Sequence, residues 1–144
     1  FREHYPEMMI ITDVITGFPG ETDEDHQETI SLLEELLPDL VNVTRFSPRK
    51  GTPASRYKRI NGRIIKKRSR ELTVLRKELG ARSFKRFVGR KTSILTVENQ
   101  KRGSTLCRDD NYRPIILMEE LPLGEFYDVE IIDSDYGFMT AILA

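Results

Sequence analysis

Four residues near the end of the chain could meet a polyanion and a planar ring at once: Arg108, Asn111, Tyr112 and Arg113. A guanidinium binds phosphate, a phenol ring stacks on an unpaired base, and an amide reaches a base edge. RNA recognition relies on that mixture. A second set, Lys66, Lys67 and Arg70, lies in the basic segment Arg45–Lys91, which carries 18 Lys+Arg against 2 Glu. Residues 1–44 carry 1 basic side chain against 11 acids, and residues 92–144 carry 4 against 10, so the whole chain is neutral. Positive charge gathered in one segment of a neutral chain suits a polyanionic partner. The acids at i,i+4 that would neutralise such a helix are nearly missing. RNA or DNA is the expected partner of these seven residues.

A third candidate is the turn GFPGE, Gly17–Glu21, which follows an apolar run. It lacks the lysine of a phosphate-binding loop and is not GxGxxG. Its position still matters, because ligands of α/β folds sit at the carboxyl ends of strands. A second strand-end loop, Ser47–Thr52, would face the same site. Asp25-His26 reads as an exposed pair in a first helical turn, and no metal site is expected. No catalytic residue is identified. The single cysteine, Cys107, excludes an internal disulfide and an all-cysteine metal cage.

These residues need elements to hold them. Residues 8–16 (MMIITDVIT) have the continuous apolar, β-branched pattern of a strand buried on both faces of a parallel sheet. Thr22 and Asp25 form a capping-box signature, a helix runs to Pro38, and residues 41–46 form a second strand. Strand, helix, strand is one right-handed crossover, too small to bury its own sheet. Residues 61–87 read as a basic helical arm with Ile64, Ile65, Leu72, Leu75 and Leu79 on one stripe, which Gly80 is expected to interrupt. After Gly89 come about five short strands within roughly 55 residues, the grammar of a small antiparallel barrel of the OB type. The expected fold is therefore α/β plus all-β: an incomplete parallel α/β barrel unit at 1–55, a basic linker at 56–87, and an RNA-binding barrel at 88–144.

With 38% hydrophobic and 32% charged residues the chain is globular. No apolar run approaches the ~20 residues of a membrane span, no secretory signal is evident, and a cytoplasmic location without membrane contact is expected. The chain opens on Phe1 and soon enters a buried-type strand, as a piece of a longer protein would. Its exposed sheet edge is expected to be covered by preceding polypeptide, or by a second copy in an edge-paired or strand-swapped dimer.

The stretch TDVITGFPGETDEDHQET, followed about 25 residues later by RFSPRKGTPAS, closely resembles the later strands of the radical-SAM methylthiotransferases. RSRELTVLRKEL and CRDDNYRPIIL…LGEFYDVEI resemble the linker and C-terminal TRAM domain of the same enzymes. The resemblance covers essentially the whole chain and is greatest to the archaeal/eukaryotic branch, which modifies threonylcarbamoyladenosine in tRNA. It implies a parent enzyme with two 4Fe–4S clusters and S-adenosylmethionine, whose 5′-deoxyadenosyl radical helps insert a methylthio group at adenine C2. It places Gly17, Phe18, Phe46 and Ser47 at the adenosylmethionine pocket. The family's CxxxCxxC motif does not occur in these 144 residues, and Cys107 stands where the family usually has glycine. The chain alone is therefore expected to hold no cluster, to bind adenosylmethionine weakly at most, and to be inert in radical chemistry. Alternatives are a stand-alone RNA-binding module and a parent acting on a ribosomal protein.

Overall fold

The structure, a computed structural model, describes residues 2–101 and 103–144. The chain divides into two compact units, one of Ile11–Leu79 and one of the residues up to Ile10 together with Gly80–Ala144.

In the first unit, strand β1 (Ile11–Thr16) pairs in parallel with β2 (Leu40–Arg45), in register from Ile11 opposite Leu40 to Thr16 opposite Arg45. Helix α1 (Asp23–Leu36) is the crossover. Its start is fixed by a capping box: the Thr22 hydroxyl accepts from the Asp25 amide at 3.1 Å, and the Asp25 carboxylate accepts from the Thr22 amide at 2.8 Å. Leu37, at φ 48°, ends the helix in the left-handed conformation just before Pro38.

Helix α2 (Gly62–Lys85) begins at Asn61, whose side chain accepts from the Arg63 amide and whose carbonyl accepts from Ile64 and Ile65. Leu72 and Leu79 of α2 join Leu33 and Val41 in one buried cluster, with Val14, Ile30 and Leu75 against it. The basic helix is thus built into the first unit by its apolar stripe. Gly80 does not interrupt it. A helical glycine costs only about 1 kcal/mol, and burial of Leu79 and Phe84 on either side holds the turn.

The doubly buried strand expected at 8–16 is corrected. β1 starts at Ile11, and Ile11 and Ile15 are 52% and 58% exposed. Only one face of the two-stranded sheet is covered, since the helices packing on Val14 and Val41 occupy that side alone.

In the second unit, β3 (Lys91–Gln100), β4 (Ser104–Asp109), β5 (Pro114–Leu117), β6 (Phe126–Asp135) and β7 (Phe138–Leu143) close into a barrel ordered β3-β4-β5-β7-β6. The expected all-antiparallel pairing is corrected at one seam, because β5 and β7 run parallel. β6 closes onto β3, and β7 returns antiparallel from β6 into the place beside β5. Ile94, Cys107, Ile115, Leu117, Val129, Ile131 and Met139 are buried at alternating positions. Register shifts fall between Thr96 and Glu98 and between Ile131 and Asp133. The extra residues are Val97 and Ile132, which face outward and are each 47% exposed.

Leu72 is 1% exposed at the centre of the first unit's cluster. Leu72→Ala should therefore destabilise that unit by about 2–5 kcal/mol, seen as earlier loss of helical signal in urea. Val74→Ala, at an exposed position on the same helix, should shift the transition little.

Candidate strand-end site and nucleic-acid interface

At the end of β1 the chain turns through Gly17–Glu21, and one carboxylate organises the turn. Glu21 accepts from the Gly17 amide at 2.8 Å and from Arg68 Nη1 at 2.6 Å, while Arg68 also donates to the Glu21 carbonyl and, at 2.7 Å, to Asp23. The Arg68 side chain is 5% exposed, Glu21 13% and Asp23 91%. Burial works against the Arg68 charge, but its bonds to Asp23 and Glu21 outweigh burial and raise its pKa further. The Arg68 hydrogen bond and charge hold the Asp23 carboxyl below its ordinary range. Gly17 is required here: at φ +81° it is left-handed, and a Cβ would come within 2.8 Å of Ile65.

Of the residues expected at a cofactor pocket, Gly17 is buried and Phe18 is 45% exposed. Phe46 is half-buried and Ser47 exposed. The structure brings the two rings together edge-to-face, with centroids 5.1 Å apart. Phe46 stands between two clefts, one of about 270 Å³ with Gly17, Pro48 and Ile65, the other of about 440 Å³ with Ile15, Ser47 and Arg49.

On α2, Lys66, Lys67 and Arg70 are exposed. Lys67 lies 3.8 Å from Glu71, a weak surface pair. His26 departs from the exposed first-turn pair expected: it is 7% exposed, with Nε2 2.8 Å from the Glu71 carboxylate. No group of three or more His, Cys, Asp or Glu able to hold a metal occurs among the described residues.

In the barrel unit the expected RNA loop is shaped by Asp109. Its carboxylate accepts from the amides of Asn111 and Arg113 at 3.0 and 2.9 Å and from Arg113 Nε at 2.6 Å. Tyr112 is left-handed at φ 63° and 69% exposed, with the Arg108 guanidinium 4.6 Å from its ring centroid and donating to its carbonyl. Arg113 differs from the free cation expected. It is 7% exposed, paired with Asp109, and 3.9 Å from the centroid of the buried Phe87 ring. Asn111 bridges inward too: oriented to suit its neighbours, its amide donates to the Glu7 carbonyl at 3.1 Å and accepts from Arg113 at 3.0 Å.

Sequence reading missed Glu7, Glu21, Arg68 and Asp109. The i,i+4 spacing of Asp109 and Arg113 was a visible signal. The pairing of Glu7 with Arg90 at 3.2 Å and with Arg113 at 3.5 Å had none, since it spans most of the chain. Burial disfavours the Glu7 charge, but Arg90 and then Arg113 hold its carboxyl below its ordinary value of 4.5.

The chain is thus modular, one unit a parallel strand-end site carrying a basic helix and the other a small barrel with a cation–aromatic loop. No family model matches it. It is 42% identical over 144 residues, its entire length, to a probable threonylcarbamoyladenosine tRNA methylthiotransferase of Archaeoglobus fulgidus. It is 37% identical over 131 residues, 91% of the chain, to the protein of that name from Pyrococcus horikoshii. Against the threonylcarbamoyladenosine tRNA methylthiotransferase of Homo sapiens the identity is 30% over 140 residues, 96% of the chain. The chain belongs to this family of methylthiotransferases. It spans 34%, 31% and 24% of the length of these three relatives.

Glu21→Ala should cost about 3 kcal/mol, because it strips the nearly buried Arg68 of its enclosed partner. Asp23→Ala, at the exposed end of the same pair, should cost much less; chemical denaturation of both variants measures the difference. The Glu7 contribution has the opposite visibility, being a matter of pH. With its pKa lowered in the fold, it stabilises the segment around Pro6 fully above the ordinary carboxylate value and loses that effect as pH falls through the lowered one. The protection of the Glu7–Met9 amides, measured relative to their intrinsic exchange rates, should fall on acidification below about 4.5, and Glu7→Gln should remove that fall.

Proposed function

We propose that this chain is part of a tRNA methylthiotransferase that places a methylthio group on C2 of N6-threonylcarbamoyladenosine, and that it supplies tRNA binding and part of the S-adenosylmethionine pocket. The observation carrying this reading is the 42% identity to a relative so named along all 144 residues, through both units. Strand order β3-β4-β5-β7-β6, the fifth strand inserted between the third and fourth, supports an OB-like barrel of the TRAM type. The βαβ unit with α2 reads as the end of a larger parallel barrel, whose further strands would cover Ile11 and Ile15.

For the cofactor, Phe18 and Phe46 offer apolar faces at parallel strand ends, the position favoured for ligands, with the Ser47 hydroxyl beside them. Gly17 contributes by clearance alone, since its amide is taken by Glu21. Adenosylmethionine, when bound, would supply the radical, and Gly17, Phe18, Phe46 and Ser47 are the residues that would hold and orient it. An iron–sulfur cluster does not fit these residues: clusters are held by several thiolates, and Cys107 is the sole cysteine, fully buried, with its thiol pushed up to about 11 by that burial. Whatever cluster serves the reaction is ligated by other residues.

For RNA, exposed Lys66, Lys67 and Arg70 of α2 serve as phosphate contacts and the Arg108–Tyr112 pair as a stacking platform. Asn111 and Arg113 shape that loop from behind. Filter binding to an anticodon stem-loop and to a perfect duplex separates these roles. Replacing Lys66, Lys67 and Arg70 by Gln should weaken both RNAs alike and reduce the salt slope by somewhat less than one per lost contact. Tyr112→Ala should cost about 1–3 kcal/mol on the stem-loop and little on the duplex, which offers no free base. Equal losses on both RNAs would remove the stacking role.

A further inference from the structure

Beside Tyr112 lies a cleft of about 510 Å³, between residues 4–9 of the barrel unit and residues 110–112. Its volume lies within the range of small-molecule sites. Tyr5, 59% exposed, and Met8 and Met9 line one side, Asp110 and Tyr112 the other. Both sides are pinned. Glu7 is bound by Arg90 and Arg113, and Arg86 donates to the Pro6 carbonyl at 3.4 Å. Opposite them, Asp109 holds the loop through two amides. Tyr112 is one of two residues other than glycine with positive φ among those described. Such strain persists where surrounding bonds impose it and often marks a working position. The Glu7 carboxylate is already matched by two guanidiniums, whereas Asp110 is exposed and has no partner among the described residues.

We propose that this cleft takes a single unpaired nucleobase, held by Tyr5, Tyr112 and the methionine side chains, with the Asp110 carboxylate selecting a base that presents an amino group. The inference rests on the RNA-binding reading above and adds a specificity residue to it. Rings and thioethers favour a flat polarisable group over phosphate, and an unpaired carboxylate in the wall repels phosphate outright. A carboxylate accepts hydrogen bonds and donates none. It therefore accepts from the exocyclic amino group of cytosine and opposes the O4 acceptor that uracil shows at the same edge.

The test measures binding of the full chain to hexacytidylate and hexauridylate at low salt, with a tRNA transcript as reference. The wild type should prefer hexacytidylate by about tenfold, the scale of one hydrogen bond to a charged group. Asp110→Asn, which offers a donor and an acceptor together, should abolish that preference, chiefly through a gain on hexauridylate. Tyr5→Ala should weaken both oligonucleotides by roughly five- to a hundredfold with an unchanged thermal transition. A preference that survives Asp110→Asn, or binding that ignores Tyr5→Ala, overturns the inference. So does binding of tRNA with neither oligonucleotide, an outcome that leaves the RNA-binding reading intact. Binding to none of the three would remove that reading and the cleft together.

Discussion

The Arg113 guanidinium, enclosed against Phe87 and bonded to Asp109, is the interaction on which the Asp109–Arg113 end of the barrel unit depends. A buried cation is costly unless each of its donors finds a partner. Here the partners are Asp109, Glu7 and the Asn111 amide, drawn from the start of the chain and from both ends of one short loop. Satisfying one charge therefore fixes the start of the chain against that loop. The left-handed Tyr112 and the cleft next to it are consequences of that arrangement.

The Ile11–Leu79 unit solves its own version of the same problem. Arg68 is enclosed, and Glu21 and Asp23 converge on it from the turn after β1. Because Glu21 also receives the Gly17 amide, the shape of the strand-end loop and the charge of the basic helix are set together. Ile65 on the same helix leaves no room for a side chain at position 17. Loops commonly need such outside support, since a loop alone does not hold its geometry.

Such pairings alter what the basic segment means. Its 18 positive side chains suggest a uniform phosphate-binding strip, yet Arg68 serves the fold and Arg90 holds Glu7. The charge left for a polyanion is concentrated at exposed positions such as Lys66, Lys67 and Arg70. Screening acts on those exposed charges far more than on the enclosed pairs, so added salt should mute the exposed charge before it loosens the fold.

Local chemistry was legible in the sequence wherever neighbouring residues decide the outcome. The Thr22–Asp25 cap, the apolar period of α2 and the alternation of Tyr127, Val129 and Ile131 all depend on contacts within a few residues, and all appear in the structure. Family membership was legible too, because GFPGET, RFSPRKGTP and DNYRP are contiguous motifs. What the tertiary structure alone decided is which polar side chains are spent inside the fold. His26 looked exposed until Glu71 met it 45 residues on, and Arg113 looked free until Phe87 and Glu7 enclosed it. The open face of β1 and the parallel β5–β7 seam are likewise invisible to periodicity. Burial is a property of what packs from elsewhere in the chain, and a residue's own neighbours in sequence carry no record of it.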